Sequence, residues 1–98
     1  MGYNAPDYKD NLYFEQRPTW DDIIKKLVDE GYDIEEQEGY ILRITKTETE
    51  TLILEKVVDD DVCDCYIERV KEGKIDKILI GRVGFEKLVY FVNIIMGK

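Results

Sequence analysis

Apolar positions along this chain keep a period near 3.6 at first and then switch to a period of 2. Trp20, Ile23, Ile24, Leu27 and Val28 fall at i, i+3, i+4, i+7 and i+8, the stripe of a helix with one face on a core. Thr19 stands where an N-cap belongs, and Asp22, three residues on, completes a weaker form of the capping box. Asp21 and Asp22 occupy the first turn, where the helix dipole favours negative charge, and Gly31 marks the end.

After Gly31 the pattern is that of strands. Tyr32–Glu36 reads as a short extended piece and Gln37-Glu38-Gly39 as a turn. In Tyr40–Thr47 the residues Tyr40, Leu42 and Ile44 share one face, and Ile41, Arg43 and Thr45 the other. Glu48-Thr49-Glu50 turns the chain, within an alternating Thr/Lys/Glu stretch expected to form an exposed hairpin tip. Thr51–Val58 follows, with Leu52, Leu54 and Val58 on one face, before Asp59-Asp60-Asp61 interrupts. Val62–Val70 and Ile75–Ile80 are the last strands, joined by Lys71-Glu72-Gly73-Lys74. Short connections between successive strands predict an antiparallel meander.

Gly81–Gly84 opens onto a final helix from Phe85 to about Met96. Phe85, Leu88, Val89, Phe91, Val92, Ile95 and Met96 cover a broad arc of it, and Ile94 lies beyond that arc. The expected fold is α+β: an antiparallel β-meander of four to five strands flanked by an N-terminal and a C-terminal helix, in the order α-β-β-β-β-β-α, both helices on one sheet face. Apolar surplus at Phe91, Ile94 and Ile95 predicts a homodimer through the last helix and an adjoining strand.

Residues 1–18 carry no sustained period and read as a flexible tail ahead of a single domain at 19–98. Asp7-Tyr8-Lys9-Asp10 looks like the start of an epitope tag, and Asn11–Gln16 like a protease-cleavage linker with one residue inserted. Such a segment would be an expression remnant. Tyr8, Leu12, Tyr13 and Phe14 offer the alternative of docking on the domain or on a partner.

Composition narrows the chemistry. The 98 residues include no His and no Ser, which removes Ser–His–acid catalysis, His-paired Cys nucleophiles and His metal ligands. No phosphate-binding P-loop is present. The net charge of −8 disfavours a polyanion and favours a basic partner. Abundant Glu and Lys resemble hyperthermophile proteomes, and equally the bias of an AT-rich genome. The absence of a signal peptide pattern and of an apolar run long enough to span a bilayer predicts an intracellular, soluble protein.

Three local patterns stand out. Cys63-Asp64-Cys65 puts two thiols on one face of a strand; they supply half of a zinc site at most, and the simpler reading is two small buried residues with no metal. Asp59, Asp60 and Asp61, with Asp64 nearby, form an acidic loop that departs from the calcium-binding pattern at its sixth and twelfth positions. It is a candidate contact for a basic partner. Tyr40, Arg43, Tyr66 and Arg69 place aromatic and basic side chains on strands, as single-stranded nucleic-acid binders do. The order of elements over residues 40–96 resembles the transcriptional-coactivator family of single-strand binders, which dimerise through their helices. That resemblance implies a dimeric nucleic-acid-binding alternative; charge cancellation by Glu55, Glu68 and Asp76 weighs against it.

Taken together, the sequence predicts a non-catalytic protein-interaction or regulatory module, without cofactor, acting as inhibitor or adaptor of a nucleic-acid-handling protein. Because Thr19 already caps the first helix, residues 1–18 are expected to be dispensable for folding. Thermal melts of the full chain and of one starting at Arg17 should show matching midpoints; a drop of several degrees would make the segment part of the fold.

Overall fold

A computed structural model of the chain describes residues 18–98. Helix α1 spans Trp20–Asp29, and five strands follow: β1 Ile34–Gln37, β2 Ile41–Thr45, β3 Glu50–Lys56, β4 Val62–Lys71 and β5 Lys74–Gly84. Helix α2, Phe85–Ile95, closes the order. The strands form one antiparallel sheet in sequence order, β1-β2-β3-β4-β5. The fold is therefore the α-β-β-β-β-β-α arrangement expected from the periodicity. The tail expected over residues 1–18 lies, except for Pro18, outside the described residues.

Helix α1 begins with the complete reciprocal cap. The Asp22 N–H donates to Thr19 Oγ1 at 3.1 Å, and the Thr19 N–H donates to Asp22 Oδ2 at 2.9 Å. Two donors that the first turn would leave unpaired are thereby satisfied. Glu38 and Gly39, with φ of 56° and 75°, turn the chain between β1 and β2. Glu72 and Gly73, with φ of 54° and 77°, do the same between β4 and β5. Positive φ at both central residues is what the tightest hairpin turns require.

With these turns fixed, alternation sends one residue of each pair to the helices. Across the inner face run the rows Ile34–Ile44–Leu52–Ile67–Ile78 and Leu42–Leu54–Cys65–Gly81, with Cys63 beside Val83. Helix α2 packs over β4 and β5, with α1 beside it. Trp20, Ile23 and Leu27 from α1 and Phe85, Leu88 and Val92 from α2 join this layer. Trp20 and Phe85 tie the starts of the two helices together, with ring centroids 5.8 Å apart.

Two expectations need correction. Val58, assigned to the inner face with Leu52 and Leu54, is 75% exposed. Strand β3 ends at Lys56, and the Val57 N–H already donates to Val62 O at 3.1 Å to close the hairpin. Val58 therefore sits in the turn. The last strand also continues past Ile80 through Gly81-Arg82-Val83-Gly84 and runs directly into α2. A bulge allows this: Cys65 pairs with Gly81 but Tyr66 pairs with Leu79, leaving Ile80 as the extra residue.

Truncating the inner layer tests its weight. Leu54→Ala, at a side chain with no solvent exposure, is expected to lower stability by about 2–5 kcal/mol in denaturant melts. Replacing both Cys63 and Cys65 by Ala should cost less, about 1–2 kcal/mol, because less volume is removed.

Candidate interaction surface

The outward face of the sheet has a fixed order of side chains. Its central row reads Glu35–Arg43–Ile53–Tyr66–Leu79 across the five strands. Ile53 is buried even though it points away from the helices. The cations of this face are each held by an acid. Arg43 Nη2 donates to Glu68 Oε1 at 2.5 Å and also lies 4.0 Å from Glu35. Lys77 reaches Glu55 Oε2 at 3.0 Å and lies over the Tyr66 ring, 4.3 Å from its centroid. Arg82 grips Asp64, its cross-strand partner, through two hydrogen bonds of 2.7 and 3.1 Å.

The four residues of the nucleic-acid alternative do not share this face. Arg43 and Tyr66 are on it, one pairing position to either side of Ile53. Arg69, three residues beyond Tyr66, projects to the opposite side and donates to Glu50 Oε2 at 2.8 Å. Tyr40 belongs to the β1–β2 turn, where its hydroxyl donates to Glu38 at 2.9 Å. Residues three apart on a strand point to opposite faces, so the grouping conflicts with the alternation itself.

The acidic candidates separate as well. Asp59, Asp60 and Asp61 are exposed together in the β3–β4 turn, with Asp59 at a φ of 65°. That turn is anchored to α2, because the Phe85 N–H donates to Asp61 O at 2.9 Å. Asp64 instead lies on β4 with its carboxylate occupied by Arg82. Of the proposed dimer residues, Phe91 and Ile95 pack against the core, whereas Ile94 stands exposed beside Tyr90.

Cys63 and Cys65 are free thiols buried in the inner layer. The hydrogen bond with Cys65 and burial both push the Cys63 thiol far above its ordinary range, so it does not supply a thiolate nucleophile. Among the described residues, no three Cys, Asp or Glu side chains gather in a way that could hold a metal ion. No helix among them is long and apolar enough to cross a membrane.

One feature of the surface escaped the sequence reading. Ile75, Ile78 and Leu79 are 64%, 48% and 58% exposed, and Ile80 is also open to solvent. The periodicity places all four in a strand without marking them as exposed. The signal was present: the last strand of a meander is an edge strand, and among the described residues this Ile-Leu-Ile run has no neighbour on one side. Compared with known proteins, the chain matches no family model, no curated protein and no solved structure.

The ion pairs and the helix cap predict the acid limit of the fold. Arg69 holds Glu50, Arg82 holds Asp64 and Arg43 holds Glu68 below the usual carboxylate range, and the Thr19 backbone and hydroxyl do so for Asp22. The ordinary values are 3.8 for Asp and 4.5 for Glu. On acidification the unfolded chain takes up these protons first, so the stabilisation is full above those values. It is lost as pH falls through the lower, folded ones. The melting midpoint should hold steady above roughly pH 5 and fall below about pH 4. Asp64→Asn with Arg82→Gln, which removes one pair, should make that fall shallower.

Proposed function

We propose that this chain is a non-catalytic protein-interaction module, an inhibitor or adaptor that docks its acidic half on the basic surface of a nucleic-acid-handling protein. The observation that carries this reading is the partition of charge. Residues 18–61 hold fourteen acidic and five basic side chains, whereas residues 62–98 hold five acidic and seven basic. Because the strands lie in sequence order, the gradient along the chain becomes a gradient across the sheet. Acid gathers at α1 and β1, a second acidic cluster stands in the Asp59–Asp61 turn at the start of α2, and the β5 edge is close to neutral.

Such a field attracts a basic partner over a Debye length of about 10 Å and repels phosphates. The cations of the outward face add little to any attraction for nucleic acid, since Arg43, Lys77 and Arg82 are committed to Glu68, Glu55 and Asp64. Catalysis has no better support, with neither His nor Ser in the chain and a Cys63 thiol that burial and Cys65 keep protonated. A setting inside the cell belongs to this reading, because unpaired thiols persist in reducing compartments. The module is further proposed to act as a homodimer built on α2 and the strand beside it. Support comes from exposed Ile94 and Tyr90 on the helix and from the exposed apolar residues of β5.

Titration against a lysine- and arginine-rich nucleic-acid-binding domain tests the first part. Binding is expected to weaken steeply with added salt, and the double substitution Asp59→Asn, Asp60→Asn should weaken it roughly tenfold, at about 1 kcal/mol or less per exposed charge. Both positions are exposed in a turn, so the melting midpoint should not move. Tight, salt-sensitive binding of single-stranded DNA by the chain itself would replace this reading with the nucleic-acid one.

A further inference from the structure

We propose that a second copy of this chain docks along β5, so that two sheets meet edge to edge about a two-fold axis. This rests on the self-association proposed above and names its seam.

Three observations point to that edge and to that occupant. The sheet ends differ in what they offer. β1 is four residues long and carries Glu35 and Glu36, a short charged edge of the kind that resists pairing. β5 is eleven residues long, about 36 Å of strand, with exposed Ile75 and Leu79 on its outward side and Ile78 on the helix side. Apolar side chains on both faces of one edge need a neighbouring strand to cover them. A partner lying on only one face leaves the other wet.

Helix α2 extends the same seam. Its Asn93 side accepts a hydrogen bond from the Tyr32 hydroxyl and so faces the α1 side of the molecule. Phe91 and Ile94 are turned about 160° and 100° from Asn93 around the helix axis at 3.6 residues per turn. They therefore face away from α1, toward the side on which β5 is the last strand. A standard interface takes about 800 Å² per partner, and the seam draws on both the strand edge and the helix flank.

Charge permits a second copy at this edge. A chain of net charge −8 pairs with itself at least cost where its own charge is least. Joining two β5 edges puts the near-neutral halves together and the two acidic halves at opposite ends. Pairing β5 with a neighbour's β1 would match charge better but would set the apolar run of β5 against a four-residue strand with polar Glu35, Glu36 and Gln37, leaving most of that run without apolar cover. A two-fold contact also closes on itself, with only the short β1 edges left outside.

Sedimentation of the full chain tests the seam, because Ile75 and Leu79 are exposed and their replacement should leave the melting midpoint of the monomer intact. The native chain is expected to sediment as a dimer at high micromolar concentration. Ile75→Lys with Leu79→Lys should raise the dimer dissociation constant roughly tenfold or more, as lysines on an edge strand do. A native chain that stays monomeric overturns both the seam and the self-association reading. A dimer that ignores the two lysines but is dissolved by Ile94→Lys overturns the seam alone. Species growing beyond the dimer would mean head-to-tail pairing and overturn the two-fold arrangement.

Discussion

Leu42, Ile44, Leu52, Leu54, Cys63 and Cys65 lose all solvent exposure on one side of the sheet, and every other arrangement in the molecule answers to that layer. A period of 2 commits each strand to one face, and a slip of one residue would turn the whole set to solvent. The tight turns at Glu38-Gly39 and Glu72-Gly73 hold two of the hairpins in the register that keeps them inside. Both helices cover these residues. α1 contributes Trp20, Ile23 and Leu27, and α2 contributes Phe85, Leu88 and Val92. Small side chains at Cys63 and Cys65 sit on β4, one of the two strands over which α2 packs. That position explains their burial; the hydrogen bond with Cys65 and that burial both raise the Cys63 thiol.

What the inner layer fixes, the outer face inherits. Residues between the buried ones are forced outward as a set, and charged side chains on neighbouring strands then meet whether or not they serve a partner. Arg43 with Glu68, Lys77 with Glu55 and Arg82 with Asp64 are consequences of register. The pairs open to solvent contribute little individually, and Arg43 with Glu68 is part-buried; together they leave a face whose cations are already occupied. The asymmetry of the molecule lies along the sheet instead, from an acidic β1 side to a near-neutral β5 side.

Most of the framework was legible because it depends on local signals. Thr19 and Asp22 announced the cap, the change of period announced the strands, and Gly39 and Gly73 announced the turns. What could not be read depends on the neighbours a residue acquires. Val58 alternates correctly with Leu52 and Leu54, yet the hairpin closes two residues earlier and leaves it outside. Ile80 looks like one more strand residue, and only pairing with β4 makes it a bulge. Tyr40, Arg43, Tyr66 and Arg69 resemble a binding set in sequence, but alternation divides them between two faces. Asp59, Asp60 and Asp61 are contiguous and stay together in one turn, whereas Asp64 lies on β4 opposite a cross-strand arginine that sequence spacing does not reveal.

An exposed apolar edge is a hazard as well as an opportunity, and this chain limits the hazard. The bulge at Ile80 breaks the regular run of β5, and Lys74 and Lys77 place charge within the remainder, both of which discourage indiscriminate pairing. At the other end, β1 offers four residues and two acids. A sheet open at both ends would invite fibres; one open at a single end, over a short regular stretch, admits one neighbour and then closes. Features that discourage indiscriminate edge pairing would also hold the proposed self-association to a dimer rather than a polymer.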